Sequence, residues 1–186
     1  ELLLKNVQKK HLTLIAELAK TLNIDVEKDP YDPAFVAKIL KGDKKKGLVI
    51  PFDSNTGRFI IFSDQHKGRR NGADDFTLCE PNYLAALDYY HQKGFHYIAL
   101  GDCEELWENS WPSVKKQQKP SFQKEAQFIP KNAFIKIFGN HDLFWDNDPF
   151  AALQLKEVFG FTVPIYEGVV LETVINNKTI HIFCTH

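Results

Sequence analysis

At 186 residues, with 44% apolar and 25% charged side chains, the chain has an ordinary globular composition and room for one well-cored domain. A formal net charge of −1 excludes the broadly basic surface that nucleic acid would select, and no polybasic block points to a membrane surface.

In chain order, the spacing of Leu4, Val7, Leu14, Ile15, Leu18 and Leu22 predicts an amphipathic helix over residues 2 to 22. A second helix is predicted from Pro33 to Leu40, with Asp32 as its cap and Gly42 at its end. GDKKKG (42 to 47) reads as a solvated linker, which divides a helical segment (residues 1 to 50) from the main domain (51 to 186). From Arg58 short apolar runs alternate with amphipathic stretches. RFIIFSD (58 to 64), FHYIALGD (95 to 102) and NAFIKIFGN (132 to 140) are predicted strands, with a helix over residues 80 to 94. The polar stretch 108 to 131 reads as a surface insertion. A helix follows around 149 to 159, then FTVPIYE, and then a hairpin of GVVLETVI and TIHIFCTH joined at NNK, so a second sheet is predicted to begin near Gly168.

Cys79, Cys103 and Cys184 are odd in number and lack CxxC spacing, which argues against a disulfide framework or structural zinc site and for a reducing compartment. No apolar run reaches the roughly 18 residues that span a bilayer, and ELLLKNVQKK is too short and polar for a signal peptide, so a cytoplasmic location is expected.

The predicted strands share one feature: each ends at its carboxyl side in a polar cluster, the edge at which open α/β sheets bind ligands. Asp64 and His66 follow the first, Asp102 and Glu105 the second, Asn140, His141 and Asp142 the third, and His186 ends the last apolar run. Carboxylates and imidazoles converging from four strand ends, with a neutral asparagine oxygen, suit hard-to-borderline divalent ions such as Mn²⁺, Fe²⁺ and Zn²⁺. Cys103 and Cys184, beside these residues, are expected to be buried for packing rather than to bind metal.

The order DQH (64 to 66), GDCEE (101 to 105), GNHD (139 to 142) and CTH (184 to 186) resembles the calcineurin-like metallophosphoesterase family over about residues 58 to 186. The resemblance implies an α/β fold of two facing mixed β-sheets flanked by helices, a four-layer sandwich, with ligands on the strand-end loops. It implies two divalent metal ions, Mn²⁺ first, with Fe²⁺, Zn²⁺ or Mg²⁺ as alternatives. Asp64, His66 and Asp102 would hold one ion, and Asp102 would bridge to a second held by Asn140 and His186. Hydroxide bridging such a pair would attack the phosphorus. By the same resemblance His141 is no ligand but serves the departing alkoxide or a phosphate oxygen, oriented by Glu105, while Asp142 caps the turn or supports His141. The family's closing GHxH motif is absent from the chain, which suggests an incomplete C-terminal part.

GDCEELWE further resembles the GDxxExW segment of bacterial UDP-diacylglucosamine hydrolases, whereas Leu106 and Trp107 replace the arginine and glycine of serine/threonine phosphatases. Arg69 and Arg70, just past DQHKG, could bind a substrate phosphate. The expected substrate is a small molecule carrying a phosphomonoester, phosphodiester or pyrophosphate bond, and the sequence carries no clear nucleic-acid or membrane signal. The alternative is a metal-free scaffold of the same fold that binds a protein.

Overall fold

The computed structural model describes residues 47–72 and 74–186, together with Leu18 and Thr21, both helical. The predicted helix over 33 to 40, the linker before Gly47 and the rest of the first predicted helix lie outside the described residues. The elements run β1 (Gly47–Pro51), β2 (Phe59–Phe62), α1 (Phe76–Gln92), β3 (His96–Leu100), α2 (Trp111–Gln117) and α3 (Lys119–Ala126). A 3₁₀ turn (Ile129–Lys131), β4 (Phe134–Ile137), α4 (Phe144–Asn147), α5 (Ala151–Phe159), β5 (Ile165–Tyr166), β6 (Gly168–Ile175) and β7 (Lys178–Thr185) follow.

The fold is mixed α/β with two sheets. One has the order β2-β3-β4-β5 and is parallel throughout; the other, β1-β6-β7, is mixed. The expectation of two mixed sheets therefore holds for one only. β1 crosses residue 50, the predicted boundary, and pairs with β6 from Gly47↔Gly168 onward, so the second sheet recruits a strand well ahead of Gly168. β6 and β7 form the predicted hairpin. Asn176 and Asn177 both take positive φ (50° and 60°), the backbone that a two-residue turn between right-twisted strands requires and that asparagine tolerates.

The central strands are covered on both faces, as parallel sheets require. Tyr97 and Ala99 of β3 pack with Phe76, Tyr83 and Leu87 of α1. On the opposite face Ile98, Ile135 and Ile137 meet Val169, Leu171 and Cys184 of the other sheet. A third cluster packs Trp111, Val114 and Phe122 against Trp145, Leu155 and Phe159.

Two expectations are corrected. α1 begins at Phe76 rather than at residue 80 and runs through Pro81, because the Asp74 carboxylate accepts the Thr77 N–H (3.3 Å) and starts the helix early. The stretch 108 to 131 is no surface insertion: it forms α2 and α3, whose inward face buries Trp111, Val114, Gln118, Ser121, Phe122 and Glu125. Its helical period was masked because polar residues occupy half of that inward face.

Ile137 is fully buried between the sheets one residue before the loop that carries Asn140 and His141. Ile137→Ala is expected to destabilise the protein by about 2 to 5 kcal/mol in urea or thermal denaturation; a loss below 1 kcal/mol would show that the sheets do not depend on this contact.

Candidate metal centre

The polar clusters meet at one edge of the molecule, where β2, β3, β4 and β7 end. The strands end early, and the loops are tied to one another by backbone hydrogen bonds. Asp64 N–H donates to the Gly101 carbonyl (3.2 Å), His66 N–H to Asp102 (2.9 Å) and Leu106 N–H to His141 (3.1 Å). Among the described residues, seven non-glycine residues have positive φ, and Asp64 (57°), His66 (48°) and Asp102 (49°) are three of them. Such backbone is unfavourable for most L-residues and persists only where its surroundings hold it, a pattern concentrated at functional sites.

Close approach adds a second constraint. A side chain on Gly139 would collide with the Asp102 carboxylate and come within 2.6 Å of His186 Nδ1; one on Gly101, itself at φ 67°, would strike the His186 ring. Both glycines are required for His186, arriving from the other sheet, to reach Asp102.

Asp102 is at the centre. His66 Nε2 and His186 Nε2 lie 3.8 Å and 3.5 Å from its Oδ2, while its Oδ1 accepts the His141 N–H at 2.8 Å. Two groups of potential ligands therefore share this one carboxylate: Asp64, Asp102 and His186 on one side, and His66, Asp102 and His141 on the other. The Asp64 carboxylate lies 3.5 Å from His186 and 3.8 Å from His66, within reach of both imidazoles. Asn140 is half-buried, carried between Gly139 and His141 on the same loop.

Glu105 joins both imidazoles. Its Oε2 lies 2.6 Å from His141 Nδ1 and 3.0 Å from His66 Nδ1, and the two rings meet edge to face at 4.5 Å. With the ring proton on Nδ1, each imidazole donates to Glu105 and presents Nε2, the arrangement by which carboxylates fix metal-site and catalytic histidines. Partial burial works against the Glu105 carboxylate, but the hydrogen bonds from His66 and His141 outweigh it and hold it below the ordinary range. Asp64, largely exposed, is held low by the Ser63 hydroxyl against a smaller effect of burial.

Asp142 is fully buried. Its Oδ1 accepts the N–H of Gly139 (2.6 Å) and of Asp102 (3.2 Å), and its Oδ2 that of Cys103 (3.0 Å), so it supports the turn and staples it to the Asp102 loop. Cys103 and Cys184 are buried and free, as expected. Arg69 is exposed. The Arg70 guanidinium pairs with Glu80 and donates from Nε to the Gln117 carbonyl (2.8 Å), so it anchors its loop on α1 and α2. A groove of about 500 Å³ beside Pro112, Lys115, Lys119 and Phe122 holds none of the predicted site residues.

Two features went unread in the sequence. Trp107 is 63% exposed and lies flat on the His141 ring, centroids 3.9 Å apart at 25°. Beneath the loops lie Lys67, Glu104 and Lys136, all fully buried. Lys136, in the middle of the apolar run FIKIF, was the available signal.

Residues 1–56 match a family described as a protein of unknown function (DUF2683). That match ends before Asp64 and does not reach the site. No curated protein matches the chain at the level taken as significant.

Glu105→Gln keeps the side chain's shape but removes the charge that orients two imidazoles. It is expected to weaken Mn²⁺ binding about 10- to 100-fold by calorimetric titration. Gly139→Ala is expected to weaken binding at least as much by displacing Asp102 and His186; unchanged affinity in both variants would show that these residues do not shape a metal site.

Proposed function

We propose that the chain is a metal-dependent phosphoesterase of the calcineurin-like metallophosphoesterase kind, acting on a phosphomonoester, phosphodiester or pyrophosphate bond of a small molecule. The observation that carries this reading is the position of Asp102, one carboxylate shared by two groups of ligands, with Glu105 turning two imidazoles toward the same space. Asp64, His66, Asp102, Asn140 and His186 would hold two divalent ions. Their donor set, carboxylate and amide oxygen with imidazole nitrogen, fits Mn²⁺ best and also admits Fe²⁺, Zn²⁺ or Mg²⁺. Such ions supply a water acidified toward neutral pH and positive charge for the phosphoryl oxygens.

The chain's own residues do the rest. Asp102, in its left-handed conformation, faces both ligand groups and is pinned by the His141 N–H. His141, its Nδ1 bound to Glu105, directs Nε2 to the substrate side and donates a proton to the departing alkoxide, with the Glu105 carboxylate stabilising the imidazolium. Trp107 covers one face of that ring, which limits its rotation. Exposed Arg69 is available to a substrate phosphate, whereas Arg70 is engaged by Glu80. The two sheets with helices over the parallel one supply three layers of the four-layer metallophosphoesterase sandwich proposed, and three free cysteines support a reducing, cytoplasmic setting. Among the described residues no helix is long and apolar enough to cross a membrane.

The test is hydrolysis of p-nitrophenyl phosphate and its bis ester by protein stripped of metal and then given Mn²⁺. Activity is expected to return with the metal and to be lost in Asn140→Ala. His141→Ala is expected to lower kcat by about a hundredfold to ten-thousandfold while Mn²⁺ uptake persists. Loss of uptake in that variant would make His141 a ligand instead, and the absence of Mn²⁺-dependent cleavage of either ester would remove the catalytic reading.

A further inference from the structure

The buried charges below the site form a continuous chain. Lys67 Nζ pairs with Glu104 Oε1 (3.1 Å), and Glu104 Oε2 accepts from Lys136 Nζ and from Trp145 Nε1, both at 2.7 Å. Lys136 Nζ lies 3.9 Å from Asp142 Oδ2. At the other end Lys67 also pairs with Glu125 of α3, which accepts the Tyr83 hydroxyl (2.7 Å), itself 2.7 Å from that of Tyr97. Lys67, Glu104, Lys136 and Asp142 are all 0% exposed, and Glu125 is 1% exposed.

Stability does not account for this chain. Taking five charged groups out of water is costly, and well-packed apolar residues commonly replace buried ion pairs without loss. Position does account for it, because three of the charges lie on three different ligand-bearing segments. Lys67 adjoins His66, Glu104 lies between Asp102 and Glu105, and Asp142 follows Asn140 and His141. Lys136 stands on β4, a rigid strand beneath all three, with Ile135 and Ile137 beside it locked between the sheets. The backbones follow the same path: Lys67 bridges to Glu104, its N–H donating to the Cys103 carbonyl (3.0 Å) and its carbonyl accepting the Glu105 N–H (3.2 Å). Two ammonium groups face three carboxylates, so the chain also leaves a negative bias under a cluster of cation ligands.

We propose that Lys136 and Glu104 are positioning residues for the metal centre: the chain Lys67–Glu104–Lys136–Asp142 fixes the three ligand loops relative to one another and so sets the affinity for divalent ions. This rests on the metal-centre reading above. Lys136 acts through Glu104 and through Asp142, whose carboxylate holds the N–H groups of Gly139, Asp102 and Cys103. Burial disfavours the Lys136 ammonium, but the carboxylates of Glu104 and Asp142 outweigh it, and its pKa stays above the ordinary lysine value.

The experiment compares the natural protein with the double variant Lys136→Met, Glu104→Gln, which removes one charge of each sign and leaves an acceptor for Trp145. Two quantities are read: the Mn²⁺ Kd by titration well below Tm, and the Tm of the metal-free protein. The proposal expects Kd to rise about 10- to 100-fold with little change in Tm. An unchanged Kd, whatever the Tm, overturns it and leaves the metal centre standing. If the natural protein takes up no Mn²⁺, the metal-centre reading fails and takes the proposal with it. Should the double variant not fold, Asp142→Asn is used, which removes the charge facing Lys136 and the Cys103 acceptor; the same rise in Kd supports the proposal and an unchanged Kd overturns it.

Discussion

The carboxylate of Asp142 accepts three backbone N–H groups, two from the loop after β3 and one from its own loop after β4. A buried carboxylate with that many donors fixes the backbone at a place where neither strand continues. Asp102 follows Gly101 into a left-handed turn there, and its side chain is thrown to the centre of the strand-end cluster. Burial pushes the Asp142 carboxyl up from its ordinary range, while Lys136 and the N–H groups of Gly139 and Cys103 favour its charge. Glu104, equally buried, is held down to about 2 by Lys136, Lys67 and Trp145 despite its burial. The same lysine on β4 therefore serves both carboxylates that brace the site.

This arrangement explains where strain is tolerated. Three residues of the candidate site hold backbone conformations unfavourable for their type, and two glycines next to them admit no side chain. The surrounding core offsets such costs: the sheets meet through isoleucine, valine and leucine, and α1, α2 and α3 close the other face of the parallel sheet. His186, arriving from the second sheet, makes the site depend on both sheets staying in register.

Much of this was legible in the sequence for physical reasons. Short apolar runs of strand length gave β2, β3 and β4, and the paired asparagines gave the β6–β7 hairpin. The polar residues at the strand ends, Asp64, His66, Asp102, Asn140, His141 and His186, were identifiable because carboxylates, imidazoles and an amide recur together at four strand ends, although each cluster alone is an ordinary strand-to-loop sequence. The helices of 111 to 126 were not legible, because Gln118, Ser121 and Glu125 look solvent-facing until the groups that satisfy them are known: the Gly68 carbonyl for Gln118, and Lys67 and Tyr83 for Glu125. For the same reason the chain of buried charges was hidden, since each member became permissible only through a partner distant in sequence. The stack of Trp107 on His141 depends on the path of a loop that no periodicity describes.

The most direct test of the account is anomalous diffraction from crystals of the protein soaked in Mn²⁺. The account predicts two anomalous peaks flanking the Asp102 carboxylate, one beside Asp64 and His186 and one beside His66. An absence of peaks at Asp102, with Mn²⁺ scattered at surface carboxylates or not bound at all, would contradict it.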